Sequence, residues 1–543
     1  MKRLDILAVC LILSGIFLGC TGSLAAPTES EMARDQELTA TYPTDIMANK
    51  LDASSYKGAI TVYPMIYDAL VNYGEGGKIE PGLAKSWEVE DDGGKMVITF
   101  HLRDGVKFSD GTPFNADAVK FSLERAKILN PKDTTPVLQK LDEIEIVDDY
   151  TVKLIYDSYL YPILKQLTFP RPIRIMSPTA VSPEGDPNGA FVKPIGTGMW
   201  VIGDYVQDQY AVLTRNPYYW GEKPILEKIT FKVIPDAQTR ALALQSGDVE
   251  LIGGKIGRIL PETVPVLESD KNIVVERELG TESYYLVFKY NKYPFNDTLV
   301  RKAVNFAIDK DNMVSVVGIG EPAKGFFAPT VNYVTDENSY NYPYDVDEAK
   351  RLLAEAGWMD TDGDGILEKD GKKFEVDLIY QVVDYPEWGR MCELIQEDLR
   401  KVGIKVNLLN LESAAFYERL WTTRDFDLMI YMTYSSEWSP EGMLTLQFTY
   451  PSPTLHATSR DDEAVTFGNP KLNELINEVM TTRVEDKRQS LYDQIFKEIY
   501  DEAACVPLYY CEKVFAMNSH VKGFEFGASE YDPVKWGRLW VSS

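Results

Sequence analysis

The sequence predicts a mixed α/β protein, and three observations predict it: strand-like runs, apolar residues at helical spacing, and turn signals separating the two kinds in alternation. Met96-Val97-Ile98-Thr99-Phe100-His101-Leu102 reads as a strand, with Asp104-Gly105 and Asp110-Gly111 punctuating the turns after it. Asn115 then starts a helix through Leu123. Asp345, followed three residues on by Glu348, resembles a capping box, and the helix through Ala349 to Ala356 stops at Gly357. Met391, Leu394, Ile395, Leu399 and Val402 recur at helical spacing before Gly403, and Ile404 to Leu411 reads as a strand.

Composition bounds the function. The 543 residues carry 56 Lys+Arg against 83 Asp+Glu, a formal net charge of −27, which repels phosphate backbones and anionic membranes and excludes a nucleic-acid binder. Hydrophobic residues make up 45% of the chain, enough for a large packed core. At roughly 100–200 residues per domain, the length corresponds to about three domains or lobes. Only three histidines occur, so no site can be built from several imidazoles. There is no GxSxG, no HExxH and no phosphate-cradling loop ending in Lys-Ser/Thr, so no enzyme activity is expected.

Lys2 and Arg3, an apolar run from Ile6 to Leu18 and then Gly19-Cys20 describe an export signal, shorter than the ~20 residues a spanning helix needs. Phe17-Leu18-Gly19-Cys20 resembles a lipoprotein lipobox, which implies lipidation of Cys20; simple cleavage nearby is the alternative, because Phe17 stands where Leu is usual. Residues 1–19 are therefore read as a signal peptide and 20–35 as a small, polar tether. Of the remaining cysteines, Cys505 and Cys511 lie about 20 Å apart if their run is extended, beyond disulfide reach. With Cys392 on an apolar helix face, all three are expected to be buried free thiols.

Several blocks carry a resemblance. They are Gly82-Leu83-Ala84-Lys85-Ser86-Trp87, Leu102-Arg103-Asp104-Gly105-Val106-Lys107-Phe108-Ser109-Asp110-Gly111, Pro194-Ile195-Gly196-Thr197-Gly198, Asn216-Pro217-Tyr218-Tyr219-Trp220-Gly221, and Arg301-Lys302-Ala303-Val304. From about residue 36 to the end, the chain is similar to the extracellular solute-binding proteins of ABC importers, family 5, which carry peptides and nickel. The resemblance implies a two-lobe periplasmic-binding-protein fold of type II, with an extra subdomain in the larger lobe and a hinge crossed twice. It places 36–280 and 512–543 in the first lobe and 281–511 in the second. It further implies ligand capture in the interlobe cleft, delivery to ABC permease and ATPase subunits, and a monomer.

Phe169-Pro170-Arg171-Pro172-Ile173-Arg174 is the most informative short run. Nickel-binding members of the family have a Pro-Arg-Pro segment here, and the resemblance implies that Arg171 grips the carboxylates of a nickel chelate. A guanidinium is a planar fork of donors that is always charged, and flanking prolines lower the cost of holding it. Of the histidines, His456 lies where such relatives place a metal ligand, whereas His101 and His520 are expected to be structural. One imidazole cannot hold nickel alone, so a metal cargo is expected to arrive chelated. The alternative is a di- or oligopeptide cargo. Peptide-binding relatives have a Trp and, three residues on, an Asp that pairs with the α-amino group. Tyr434 and Glu437 stand at those positions, and Tyr434 and Trp438 could instead pack on a flat chelate. Arg125 and Lys127 fall where further cationic contacts are expected, without the accompanying tryptophan.

Asp360-Thr361-Asp362-Gly363-Asp364-Gly365 resembles the start of a calcium loop, with Asp360, Asp362 and Asp364 as candidate ligands. The twelfth position is Gly371 rather than Glu, so a plain acidic surface turn is the competing reading.

Overall fold

The structure, a computed structural model, describes residues 27–28, 31–32, 35–131, 135–433, 438–450 and 463–543. The signal peptide, Cys20 and most of the tether fall outside the described residues. An 11-stranded mixed sheet runs through the molecule. Its order is Trp200–Val206, Tyr210–Arg215, Lys228–Val233, Glu37–Tyr42, Leu251–Gly253, Cys505–Asn518, Ile273–Phe288, Leu428–Met432, Glu375–Tyr380 and Lys405–Asn410, with Glu321–Pro322 pairing off the path.

Two of these strands are unusually long, Ile273–Phe288 and Cys505–Asn518, and they run antiparallel at the centre. Their ladder holds from Ile273↔Asn518 to Leu279↔Glu512 and resumes at Ser283↔Tyr510. Gly280, Thr281 and Glu282 therefore face Cys511 alone, and such an excess bends a strand and re-aims its side chains. On one side of this break, a core cluster draws its buried residues from between Tyr284 and Cys511. On the other, a cluster runs from Leu38 to Ile256 and from Phe515 to Val541, joined by one outsider, Met480. A smaller cluster around Leu244, Leu267 and Ala516 packs behind the first lobe's side of the sheet. These are two lobes joined by a hinge that the chain crosses twice. A four-stranded antiparallel sheet, Ala84–Asp92, Lys95–Leu102, Thr151–Tyr156 and Leu141–Asp148, forms the extra subdomain with helix Ala116–Leu129.

The local reading of the sequence is met by local chemistry. Lys95–Leu102 is a strand, and Asn115 caps the following helix by accepting from the Ala118 N–H. Asp345 caps Val346–Glu355 through the Glu348 N–H at 2.9 Å. The capping box is only half formed. The Glu348 carboxylate goes to Arg351, because the Asp345 N–H is already donated to the Phe306 carbonyl. Helix Trp388–Lys401 buries Met391, Cys392, Leu394, Ile395 and Leu399 along one face. It ends before Gly403, whose φ of +81° needs a residue without Cβ.

The segment after the subdomain's sheet is pinned from inside. Ile163–Gln166 forms one helical turn, and Ile163, Leu167, Ile173 and Ile175 are buried. Between them Arg174 is buried too, donating to the Thr168 carbonyl at 2.9 Å and the Tyr67 carbonyl at 3.5 Å. Burial lowers the Arg174 pKa, and the carboxylates of Asp532 and Asp68 pull it back. Burial pushes Asp532 up to about 6, with the Arg174 charge limiting the rise. A carboxyl raised in the folded state binds its proton more tightly there, so its contribution is full below the unfolded value of 3.8 and lost as pH rises through about 6. Asp532→Asn should therefore gain stability relative to the wild type as pH rises between about 4 and about 6, in urea unfolding at each pH. A stability difference independent of pH would contradict that burial.

Candidate ligand-binding site

Strand Glu37–Tyr42 lies parallel to Lys228–Val233 and to Leu251–Gly253, and ligands of open α/β sheets bind beyond the carboxyl ends of such strands. Tyr42 is the last residue of its strand, and the structure brings Arg171 there. Pro170 and Pro172 are buried, and Arg171 between them is half-buried. Its Nη1 donates to the Gly58 carbonyl at 2.7 Å. Its Nε, out of contact with solvent, has no acceptor. Among the described residues no carboxylate forms an ion pair with it, so one side of a charged fork is left unused. Tyr42 and Tyr63 feel that charge: burial pushes both phenols up, Tyr63 to about 12, and Arg171 pulls each partly back. The sequence signal for these two tyrosines was only their place at a strand end and in a short helical turn.

A path of rings and cations leads from this segment to the hinge. Phe169 meets Tyr531 edge-on at 5.8 Å, and Lys255 sits 5.9 Å from the rings of both Tyr531 and Tyr385. Beside it, Arg258 donates to Glu282 Oε2 at 2.8 Å and to the Tyr284 hydroxyl at 3.0 Å, lies 3.5 Å from Glu387 Oε1, and covers the Tyr385 ring at 5.0 Å. Lys255 donates to the other Glu282 oxygen at 3.1 Å. Burial opposes ionisation of Glu282, but Lys255 and Arg258 outweigh it and hold the carboxyl below its usual range. Glu530 is pushed the other way by burial and the Glu282 charge, with Lys513, Lys255 and Arg258 offsetting part of the rise. Apart from Phe169, nothing in the sequence pattern pointed to these groups, which come from the separate stretches 255–258, 282–284, 385–387, 513 and 530–531.

The other sequence candidates sort clearly. Arg125 is buried in an ion pair with Asp52 at 2.7 Å and donates to the Pro187 and Gly189 carbonyls, while Lys127 bonds the Leu141 carbonyl. Arg125, buried and bonded on every side, is not free for a ligand. His101 pairs with Glu88 at 3.4 Å and His520 with Glu250 at 2.7 Å, outside the cleft segments named above. Trp438 donates its indole N–H to the Ala528 carbonyl at 2.6 Å and packs against Gly77, where a Cβ would come within 2.2 Å of its own Cβ. Tyr434, Glu437 and His456 lie outside the described residues. Cys392, Cys505 and Cys511 are buried free thiols, each pushed up by burial. In the acidic loop, ligand atoms of Asp360, Asp362, Asp364 and Glu368 lie within 4.8 Å of one another. The Lys373 ammonium contacts Asp364 and stands 3.1 Å from Asp362 and 3.8 Å from Glu368.

A family model, bacterial extracellular solute-binding proteins, family 5, matches residues 78–452. The chain is 31% identical to the nickel-binding periplasmic protein of Escherichia coli, over 92% of this chain and 93% of that one. It is 28% identical to the oligopeptide-binding protein AppA of Bacillus subtilis, over 99% of both chains. Among solved structures it is similar to NikA of Brucella suis in complex with Fe(III)-EDTA, with a TM-score of 0.85 at 31% identity, covering 93% of this chain and 100% of that one. Two lobes on one sheet, a doubly crossed hinge and a family match over most of the chain give one conclusion: the protein belongs to the family 5 extracellular solute-binding proteins, a family of receptors rather than enzymes.

Proposed function

We propose that this protein is the substrate-binding receptor of an ABC importer, and that its cargo is nickel carried as a small carboxylate-bearing chelate. The observation that carries the reading is Arg171: a guanidinium held between two buried prolines, with a buried Nε lacking an acceptor and no carboxylate partner among the described residues. A carboxylate supplied by the ligand would satisfy that donor and be paired with that charge. Likeness to a nickel-binding relative and to a structure holding a metal chelate supports it. The likeness to an oligopeptide-binding relative makes peptide the rival cargo, with Glu437 gripping the amino end. In this reading His456 at most completes the metal's coordination, Tyr434 and Trp438 flank the chelate, and permease and ATPase subunits receive it.

Export and anchoring belong to the same proposal. Among the described residues no helix is long and apolar enough to cross a membrane. Lipidation of Cys20 would hold the receptor at the outer face of the cell membrane. The acidic loop is proposed as a turn in which Lys373 offsets part of the carboxylate charge, so that calcium would have to displace the ammonium.

Three measurements test these readings. In calorimetric titration with nickel–histidine, with nickel alone and with a mixed peptide pool, the wild type should bind the chelate, and Arg171→Ala should weaken binding at least about tenfold. Peptide binding that survives Arg171→Ala and is lost in Glu437→Gln would replace nickel by peptide. Cys20→Ser should move the protein from the membrane fraction to the soluble fraction and remove the acyl mass from its N-terminus. Calcium should raise the unfolding temperature of Lys373→Ala but not of the wild type; an equal rise in both would make the loop a calcium site that does not compete with the lysine.

A further inference from the structure

The lobes also exchange residues through side chains other than those around Glu282. Tyr161 belongs to the first lobe's chain, and its neighbours Leu160 and Ile163 are in that lobe's core, yet its ring packs against the core of the second lobe. Met480 does the reverse. Val479 and Ile476 beside it are in the second core, while Met480 is buried in the first. The two are tied directly, since the Tyr161 N–H donates to the Met480 carbonyl at 3.1 Å.

Polar groups close around this exchange. Glu441, at 2% exposure, accepts from the Tyr161 hydroxyl at 2.8 Å and from Tyr492 at 3.3 Å, and the two hydroxyls also touch each other. Lys165 bonds the Ser439 hydroxyl and stands 3.8 Å from the other Glu441 oxygen. Arg488 lies over the Tyr161 ring at 4.6 Å, and nearby Arg483 covers Tyr159 at 4.4 Å while reaching Asp91 at 2.5 Å. Apart from the Tyr492–Glu441 hydrogen bond, which lies within the second lobe, these contacts join first-lobe residues 91 and 159–165 to second-lobe residues 439–441 and 480–492, and separation of the lobes would break them.

We propose that Tyr161, Lys165, Met480 and Glu441 form a latch that stabilises the closed cleft without touching the ligand. The latch shares a short segment with Arg171, which follows six residues after Lys165, itself in the helical turn Ile163–Gln166. Closure and capture are thus mechanically linked, and the latch sets how much of the ligand-free protein is already closed. A ligand that favours the closed lobes binds in proportion to that fraction.

The inference rests on the reading of the chain as a receptor that closes on its cargo, but its first readout needs no ligand. Tyr161→Phe deletes one hydroxyl and keeps the ring under Arg488, while Glu441→Gln keeps the shape and removes the charge. Small-angle scattering of each ligand-free variant should give a larger radius of gyration than the wild type. With nickel–histidine as the probe, dissociation should be about tenfold faster, and affinity correspondingly weaker. Wild-type scattering in both variants would overturn the latch, whatever the probe does. Larger radii together with no binding of nickel–histidine by any form would support the latch and defeat the nickel reading alone.

Discussion

Glu282 is the constraint on which the architecture depends. It stands in the excess residues of a strand that belongs to both lobes, 2% exposed, and a carboxylate so withdrawn from water persists only if its charge is matched on the spot. Lys255 and Arg258 supply the match, each to a different oxygen. Arg258 is at the same time bonded to Tyr284, and it faces Glu387 across the hinge. The bend in the sheet and the charge balance are thus one feature. Removing any member leaves an uncompensated buried ion, and desolvation then works against the bend itself.

The stretch from Tyr159 to Arg174 connects this hinge to the binding cleft. Phe169 contacts Tyr531, Arg171 bonds the Gly58 carbonyl with its Nε left without an acceptor, and Arg174 anchors the backbone through two carbonyls. Tyr161 and Lys165 on the same stretch reach into the second lobe. A helical turn and two buried prolines restrict the backbone of the stretch. Binding proteins need no reacting group. What they need is a difference in free energy between open and closed forms, and the residues proposed to set it and to grip the cargo include several on one run of sixteen residues.

Local elements were legible because local chemistry makes them. Asn115 and Asp345 cap helices through their own next turn, and Gly403 ends one for want of a Cβ. The reciprocal half of the Asp345 cap failed for a tertiary reason, because a carbonyl from Phe306 had already taken the N–H. Free, buried thiols followed from spacing along an extended strand, and Cys505 and Cys511 indeed sit on one. Arg171 was legible through its prolines. Arg125 was misleading by position, since nothing near it in the chain announces its partner Asp52, 73 residues away.

Residue patterns by themselves determined an acidic, mixed α/β chain with one conspicuous arginine, and the family resemblance carried by short motifs implied a two-lobed receptor, since periodicity, charge count and short motifs survive without any knowledge of distant neighbours. Only the tertiary structure decided that this arginine goes without an ion pair among the described residues while Arg125 is spent on Asp52. It alone brought Glu282, Lys255 and Arg258 to one point, and Tyr161 into a foreign core. The physical reason is that pairing and burial are properties of space, and each of these partners is supplied by a stretch of chain that local pattern treats as unrelated.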